Sequence, residues 1–335
     1  MGKKNIEELK IIGEINGSDF KIIRDMATNN KLSFIDLSET NIVSGGDYYY
    51  YEYSTKNNEF GDLLLYKCKK LEKIILPKTI VEIGLGTFSY CSNLTSLVIY
   101  SEVKTINSEI WERCDKLNDV KIIDNPNFHF ENSILYDKNN NKIIAALPTG
   151  FYNDLTIKNG IKEIQNFAFD GCKSLTSIIF PSTLTKIGIN SFYSSGLTSI
   201  IFNENIETIN SRAFMSCYKL KEVNLVEIKI KILKFGIFQF SKLETVYLPR
   251  QLKKMEGLVF QNTPLKNIFC YSNNPPDIED FSSSFATIYN VDNKKCIVHV
   301  PKGKFNIYKE AEGWRKFNLI IDDSQNFINT FIKSY

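Results

Sequence analysis

Histidine is almost absent: His129 and His299 are the two copies in a chain of 335 residues, and they fall in unrelated segments. Zinc catalysis or a histidine-based triad needs an imidazole beside further ligands or a nucleophile, and neither residue sits in such a motif, so no catalytic, metal or cofactor-binding residue is assigned. Charge of one sign is missing too. The 41 basic residues nearly balance 38 acidic ones and are scattered along the chain, so there is no electrostatic footprint for nucleic acid. No apolar run approaches the roughly 18 to 20 residues of a membrane-crossing helix. Even Ile6 to Ile15 is broken by Glu7, Glu8, Lys10, Gly13 and Glu14. The start, Met1-Gly2-Lys3-Lys4, lacks the apolar core and cleavage site of a secretory signal, which predicts either a cytoplasmic protein or one whose signal has been trimmed. Core material is plentiful, with 43% hydrophobic and 13% aromatic residues, so disorder is not expected.

A fixed period organises this material. Cys68, Cys91 and Cys114 lie 23 residues apart, and each is followed three residues later by a leucine, Leu71, Leu94 and Leu117. Alignment on those leucines gives Leu71-x-x-Ile74-x-Leu76-Pro77, Leu94-x-x-Leu97-x-Ile99 and Leu117-x-x-Val120-x-Ile122. Further copies begin at Leu175, Leu197, Leu220, Leu243 and Leu265. A second apolar step follows, as in Ile80-x-x-Ile83 and Leu184-x-x-Ile187, and five residues later an aromatic: Phe88, Trp111, Phe169, Phe192, Phe214, Phe238 and Phe260. This is the pattern of one flattened coil per repeat, with a short strand, a second extended segment and an aromatic corner. A single coil cannot bury its own apolar face, so copies must stack, about 4.8 Å per strand.

The period is interrupted twice, by 44–60 with its run of tyrosines and by 124–150. The second insertion is predicted to be a hairpin of Ser133 to Tyr136 and Lys142 to Ala145 projecting from the stack. The ends depart from the repeat, as solenoid ends must to cover core and strand edge. Residues 1–31 are expected to form an amino-terminal cap, with a strand around Leu9 to Ile15 and a helix starting at Gly17-Ser18-Asp19 that turns Phe20, Ile23 and Ala27 to one face. Residues 32–270 carry the repeats. Residues 271–335 are expected to form a carboxyl cap, with a strand over Cys296 to Pro301 and a helix presenting Tyr308, Ala311 and Trp314. No Pro/Gly/Ser linker divides the period, which predicts a single domain over 1–335.

The unit, with its proline after the strand and its aromatic-plus-cysteine ending, resembles the BspA-like leucine-rich-repeat family over roughly Leu32 to Ile320. The ends, Asn16-Gly17-Ser18-Asp19 and Val300-Pro301-Lys302-Gly303 among them, resemble the caps of its bacterial surface members. The fold expected is therefore mainly β, a leucine-rich-repeat solenoid forming a right-handed superhelix with short helical caps at both ends. The resemblance implies a cell-surface or secreted, adhesin-like protein whose export signal has been trimmed. It implies a non-catalytic interaction module that binds a host or bacterial protein, with a structural spacer or a glycan-binding module as alternatives. It brings no catalytic residue and no cofactor.

Two candidate binding surfaces emerge. On each first strand the residue between the last two inward positions faces out, and Ile75, Val98, Ile179, Ile201, Tyr247 and Phe269 are apolar there, where an outward position is ordinarily polar. Tyr247, Phe269 and Tyr271 are also a candidate stacking platform for a glycan. Cross-strand packing of β-branched residues is the competing explanation of the row. The second surface is the run Tyr48, Tyr49, Tyr50 and Tyr51, since tyrosine offers large contact area at low entropic cost; the competing explanation is packing of the insertion on the stack. The cysteines at the shared repeat position are expected to be small buried thiols, alternating with Ser195, Ser241 and Thr263. Their spacing is a stacking period rather than a ligand pair. A disulfide between Cys270 and Cys296 is left open. Gly84-x-Gly86 lacks the rest of a nucleotide fingerprint and marks a turn.

Overall fold

The structure, a computed structural model, describes residues 3–139, 141–278, 290–317 and 319–323. It is a leucine-rich-repeat β-solenoid whose coils sort into two compact units. One comprises Met1–Phe151 and Glu163–Ser174, the other Tyr152–Lys162 and Leu175–Tyr335.

In the first unit the first strands of successive coils, Phe34–Ile42, Lys73–Ile75, Ser96–Ile99 and Asp119–Ile122, form a parallel sheet with strand Glu8–Ile15 at its amino-terminal edge. The register places Ile35, Ile74, Leu97 and Val120 in one inward row. Asp36, Ile75, Val98 and Lys121 form the outward row beside it. The repeat dictates this, because equal spacing puts the same residue of each coil opposite its copy. The second steps, Glu59–Phe60, Glu82–Ile83 and Thr105–Ile106, pair in a narrower parallel sheet. In the second unit the first strands run Asn153–Thr156, Leu175–Ile179 and Ser199–Ile201, then Glu222–Asn224, Thr245–Tyr247, Asn267–Phe269, Ile297–Pro301 and Leu319–Asp323.

The third side of the coil is a turn with its own hydrogen-bond ladder. Residues two before and two after the corner aromatic have left-handed backbone, such as Asn190 and Ser194 around Phe192 and Arg212 and Ser216 around Phe214. The amides of Asn190, Phe192 and Ser194 donate to the carbonyls of Ser211, Ala213 and Met215 in the next coil, at 3.2, 2.8 and 2.9 Å. The polar backbone of the corner is thus satisfied between coils while the aromatics point inward and stack. Phe192, Phe214, Phe238 and Phe260 form a column with centroids 5.2, 5.8 and 6.1 Å apart and planes within 12°.

The amino-terminal cap forms as the sequence implies. Strand Glu8–Ile15 leads into helix Gly17–Asn29, which starts with a capping box of Asn16 and Asp19 and buries Phe20, Ile23 and Ala27. At the other end strand Ile297–Pro301 is followed by helix Phe305–Glu310, with Tyr308, Trp314 and Phe317 buried. The Tyr308 hydroxyl donates to the Ser272 carbonyl at 2.9 Å, and the Trp314 indole donates to the Pro276 carbonyl at 2.8 Å. The parts of the expected carboxyl cap at 279–289 and 324–335 lie outside the described residues.

Both insertions leave the coil at the same point, between first strand and second step. The second follows a different path from the one expected. Ile134–Asp137 and Lys142–Ala146 form the antiparallel hairpin, but instead of projecting, Lys142–Ala146 rejoins the stack as a second step and pairs in parallel with Glu163–Ile164. Ile143 takes the place that Ile106 and Ile164 hold in their coils, so burying its face outweighs extending the loop.

Candidate functional site

The outward row is in place, and its residues divide by exposure. Ile75 and Val98 are half-buried side by side, flanked by Asp36 and Lys121. In the second unit Ile179 and Ile201 are paired neighbours at 40% and 38% exposure. Tyr247 and Phe269 are only 8% and 7% exposed. They stack on each other with centroids 4.6 Å apart and planes 8° apart, and Phe269 stacks on His299 at 4.1 Å. Val226 and Tyr271 pack against the same rings, and the Arg250 guanidinium lies 5.2 Å from the centroid of Tyr271. Both faces of Phe269 are therefore taken, and the rings form an internal ladder rather than an open platform. His299 is the rung that sequence reasoning missed. Its parity within Ile297-Val298-His299-Val300 turns it outward in register with Phe269, but it lies beyond the last copy of the repeat, which begins at Leu265.

The tyrosine run forms strand Gly45–Tyr50, which pairs antiparallel with Tyr53–Thr55. Its residues split into anchors and display. Tyr49 is buried and its hydroxyl donates to the Asp62 carbonyl at 2.7 Å, while Tyr50 is half-buried against Tyr66, centroids 5.7 Å apart. Tyr48 and Tyr51 remain 60% and 78% exposed. Helix Gly17–Asn29 holds the hairpin from below. The Asp47 amide donates to Ser18 Oγ at 2.9 Å, and Lys21 pairs with the Asp47 carboxylate at 3.0 Å. A Cβ on Gly17 would run into the Asp47 carbonyl, and one on Gly46 into the Asn16 side chain, so only glycine permits this approach. The Arg24 guanidinium lies over Tyr50, and Lys67 lies over Tyr66 at 4.9 Å and Tyr90 at 5.9 Å from the ring centroids. Lys21, Asp47 and Tyr48 to Tyr51 line an open recess of about 470 Å³.

The groups with potential chemistry are held structurally. All seven cysteines are buried free thiols. Cys91 and Cys114 donate to the carbonyls of Leu65 and Phe88 in the preceding coil at 3.0 Å, and Cys217 to that of Phe192 at 3.3 Å. The repeated cysteine is thus a hydrogen-bonding staple as well as a small filler. Burial pushes the Cys91, Cys114 and Cys172 thiols up. The register pairs Asn267 to Phe269 with Ile297 to His299, which leaves Cys270 just beyond one end of the paired segment and Cys296 just beyond the other. The stagger of four residues is roughly 13 Å along the strands, too far for a disulfide. His129 stacks on Tyr136 at 4.6 Å, with Nε2 3.9 Å from Glu131. Asp170 is buried, and neither carboxylate oxygen accepts a hydrogen bond; Arg113 Nε lies 3.6 Å away. Desolvation pushes Asp170 up to about 7 against the attraction of Arg113. Among the described residues no three His, Cys, Asp or Glu side chains converge on a position for a metal ion, and no helix is long and apolar enough to cross a membrane.

Comparison with known proteins gives the same repeat. The BspA type leucine-rich repeat region matches in six copies over residues 51–143 and 149–290. No curated protein matches the sequence. Among solved structures, the pneumococcal vaccine antigen PcpA superposes with a TM-score of 0.64 at 17% identity, covering 88% of this chain and 78% of that one. A leucine-rich-repeat protein of Eubacterium ventriosum gives 0.54 at 19% identity, covering 89% and 90%. A leucine-rich cell surface protein of Faecalibacterium prausnitzii gives 0.53 at 17% identity, covering 79% and 88%. At these identities the likeness is one of fold.

Proposed function

The chain belongs to the BspA-type leucine-rich-repeat family, and from that premise we propose that it is a non-catalytic interaction module displayed at a cell surface, engaging a protein partner along the outward row of its strand sheet. One observation carries the reading. Ile179 and Ile201 sit side by side at 40% and 38% exposure on strands whose opposite faces carry the buried Ile178 and the half-buried Ile200. Removing them from water requires a partner, and each well-covered isoleucine stabilises a complex by about 1 to 2 kcal/mol. Closely packed parallel strands make the row rigid, so little ordering entropy opposes association. Display outside the cell is supported by the fold shared with a vaccine antigen and a cell surface protein.

The test is capture of proteins from a cell-surface extract by the full chain, with an Ile179→Ser, Ile201→Ser double variant in parallel. The reading expects a specific partner whose affinity falls roughly tenfold or more in the variant, the effect of losing about 1.4 kcal/mol or more. A partner held equally well by the folded variant overturns it.

A further inference from the structure

We infer that the tyrosine hairpin carries a second, separate site, a recess that takes a neutral pyranose unit of a glycan. The recess combines two kinds of group. Tyr48 and Tyr51, 60% and 78% exposed, offer aromatic surface with no core function. Beside them the Lys21 ammonium and Asp47 carboxylate, both solvent-exposed, lie 3.0 Å apart. A pyranose has the matching pair of properties: a C–H-rich face, weakly positive and complementary to the negative face of an aromatic ring, and a rim of hydroxyls that each donate and accept. Asp47 accepts from such a hydroxyl while Lys21 donates to its neighbour.

The local charge favours no ionic ligand. Lys21 and Asp47 cancel, so the pair gives neither an anionic nor a cationic group a net attraction, while both members can still hydrogen-bond a hydroxyl. The recess, about 470 Å³, is of the size that small-molecule sites occupy. It is also preformed. Tyr49 hydrogen-bonds Asp62, the Asp47 amide hydrogen-bonds Ser18, and the glycines at 17 and 46 seat the hairpin on the helix, so the backbone of the recess needs no ordering and only exposed side chains are fixed on binding. Tyr50 also lines the recess, but its ring is held by Arg24, Tyr66 and the edge-on Tyr51 ring at 4.5 Å, so it backs the Tyr51 ring rather than offering a face of its own.

The experiment is a glycan array with the full chain, followed by saturation-transfer NMR against the methyl glycoside of each sugar retained. Wild type is expected to retain neutral glycans, and Tyr51→Ala and Asp47→Asn each to weaken them roughly tenfold, the equivalent of one lost contact of about 1.4 kcal/mol. The Ile179→Ser, Ile201→Ser variant is expected to bind glycans as wild type does, which separates this site from the protein-binding row. Both substituted hairpin residues are exposed, and circular dichroism checks the fold. Retention of no neutral glycan, equal retention by Tyr51→Ala, or retention only of sulfated or sialylated glycans overturns the proposal.

Discussion

The guanidinium carbon of Arg24 lies 4.2 Å from the centroid of the Tyr50 ring, and the same group donates to the carbonyls of Leu63, Leu64 and Tyr66 at 3.0, 2.7 and 3.1 Å. One buried cation therefore joins three elements: the cap helix, the first corner turn, centred on Leu65, and the inserted hairpin. Hydrogen bonds from a charged donor contribute about 1.5 to 3 kcal/mol, and carbonyls left buried without a donor add a desolvation penalty. Arg24→Met is expected to destabilise the first unit by about 3 kcal/mol or more. Arg24→Lys recovers only part of this, because a point charge cannot span three carbonyls as a planar fork does. Denaturant unfolding measures the loss. Hydrogen exchange is expected to show faster opening at 45–55 in both variants; unchanged exchange there would mean that the hairpin holds without the cation.

Asp170 supplies a pH dependence whose direction follows from its burial. Desolvation is the leading cause of its raised value, Glu112 and Asp115 add to it, and Arg113 and Lys173 oppose it without prevailing. Arg113 is a third exposed, so water screens its attraction. The folded state holds the proton up to about pH 7, whereas the unfolded chain releases it near the ordinary aspartate value of about 3.9. Stability from this group is therefore full below about pH 4 and declines as pH rises to about 7. Asp170→Asn removes the titration. It is expected to match wild type near pH 4 and to exceed it at pH 8 by a few kcal/mol, at most about 4. Equal stability of the two proteins at pH 8 would mean that Arg113 fully compensates the carboxylate.

Much of the fold was legible because a solenoid repeats its instructions. Inward residues recur in every coil, so Ile74, Leu97 and Val120 declared their strands and, by parity, Ile75, Val98 and Lys121 the opposite face. Parity gives direction but not exposure. Tyr247 and Phe269 point out of the solenoid core as expected, yet the stack with His299 and the packing of Val226 and Tyr271 cover them. The second insertion was legible as a hairpin and not in its path, since Ile143 resumes the second-step role at an irregular distance from the strand before it. For the tyrosine run the sequence is compatible with both packing and display. Both occur, on different residues, because Tyr49 finds the Asp62 carbonyl and Tyr50 finds Arg24 and Tyr66, whereas Tyr48 and the turn residue Tyr51 stay at the surface. Arg24 carried no local signal; its partners Tyr50 and Leu63 to Tyr66 are distant in sequence and meet only in the folded coil.

The cysteine column is expected to be chemically silent. Each thiol is buried, and desolvation pushes Cys91, Cys114, Cys172 and Cys270 away from the reactive thiolate. Titration of the folded protein with a thiol-specific reagent at pH 8 should label none of the seven, and all seven in denaturant. Replacement tests the staple. Cys114→Ser keeps a hydroxyl able to donate to the Phe88 carbonyl and is expected to lower stability by less than about 1 kcal/mol, since Ser195 and Ser241 show that serine fits this position in other coils. Cys114→Val keeps the apolar volume but loses the donor and is expected to lower it by about 1 to 3 kcal/mol. Labelling of any cysteine before unfolding would show that a coil opens locally.

The left-handed turns around each corner aromatic test whether the repeat tolerates strain in order to keep its hydrogen-bond ladder. Gly171 and Ser216 hold the same position, two residues after Phe169 and Phe214, with φ of +70° and +60°. A side chain in this region is disfavoured by roughly 1 kcal/mol, because Cβ crowds the following carbonyl. At Gly171 an added Cβ would meet no atom within 4 Å, so Gly171→Ala isolates the backbone contribution and is expected to lower stability by about 1 kcal/mol. Ser216→Gly reverses the change in the second unit. Its gain is smaller, about 0.5 kcal/mol, because glycine also enlarges the conformational freedom of the unfolded chain. Denaturant midpoints should therefore move in opposite directions for the two variants. If Ser216→Gly destabilises instead, the buried serine side chain contributes more to packing than its backbone conformation costs.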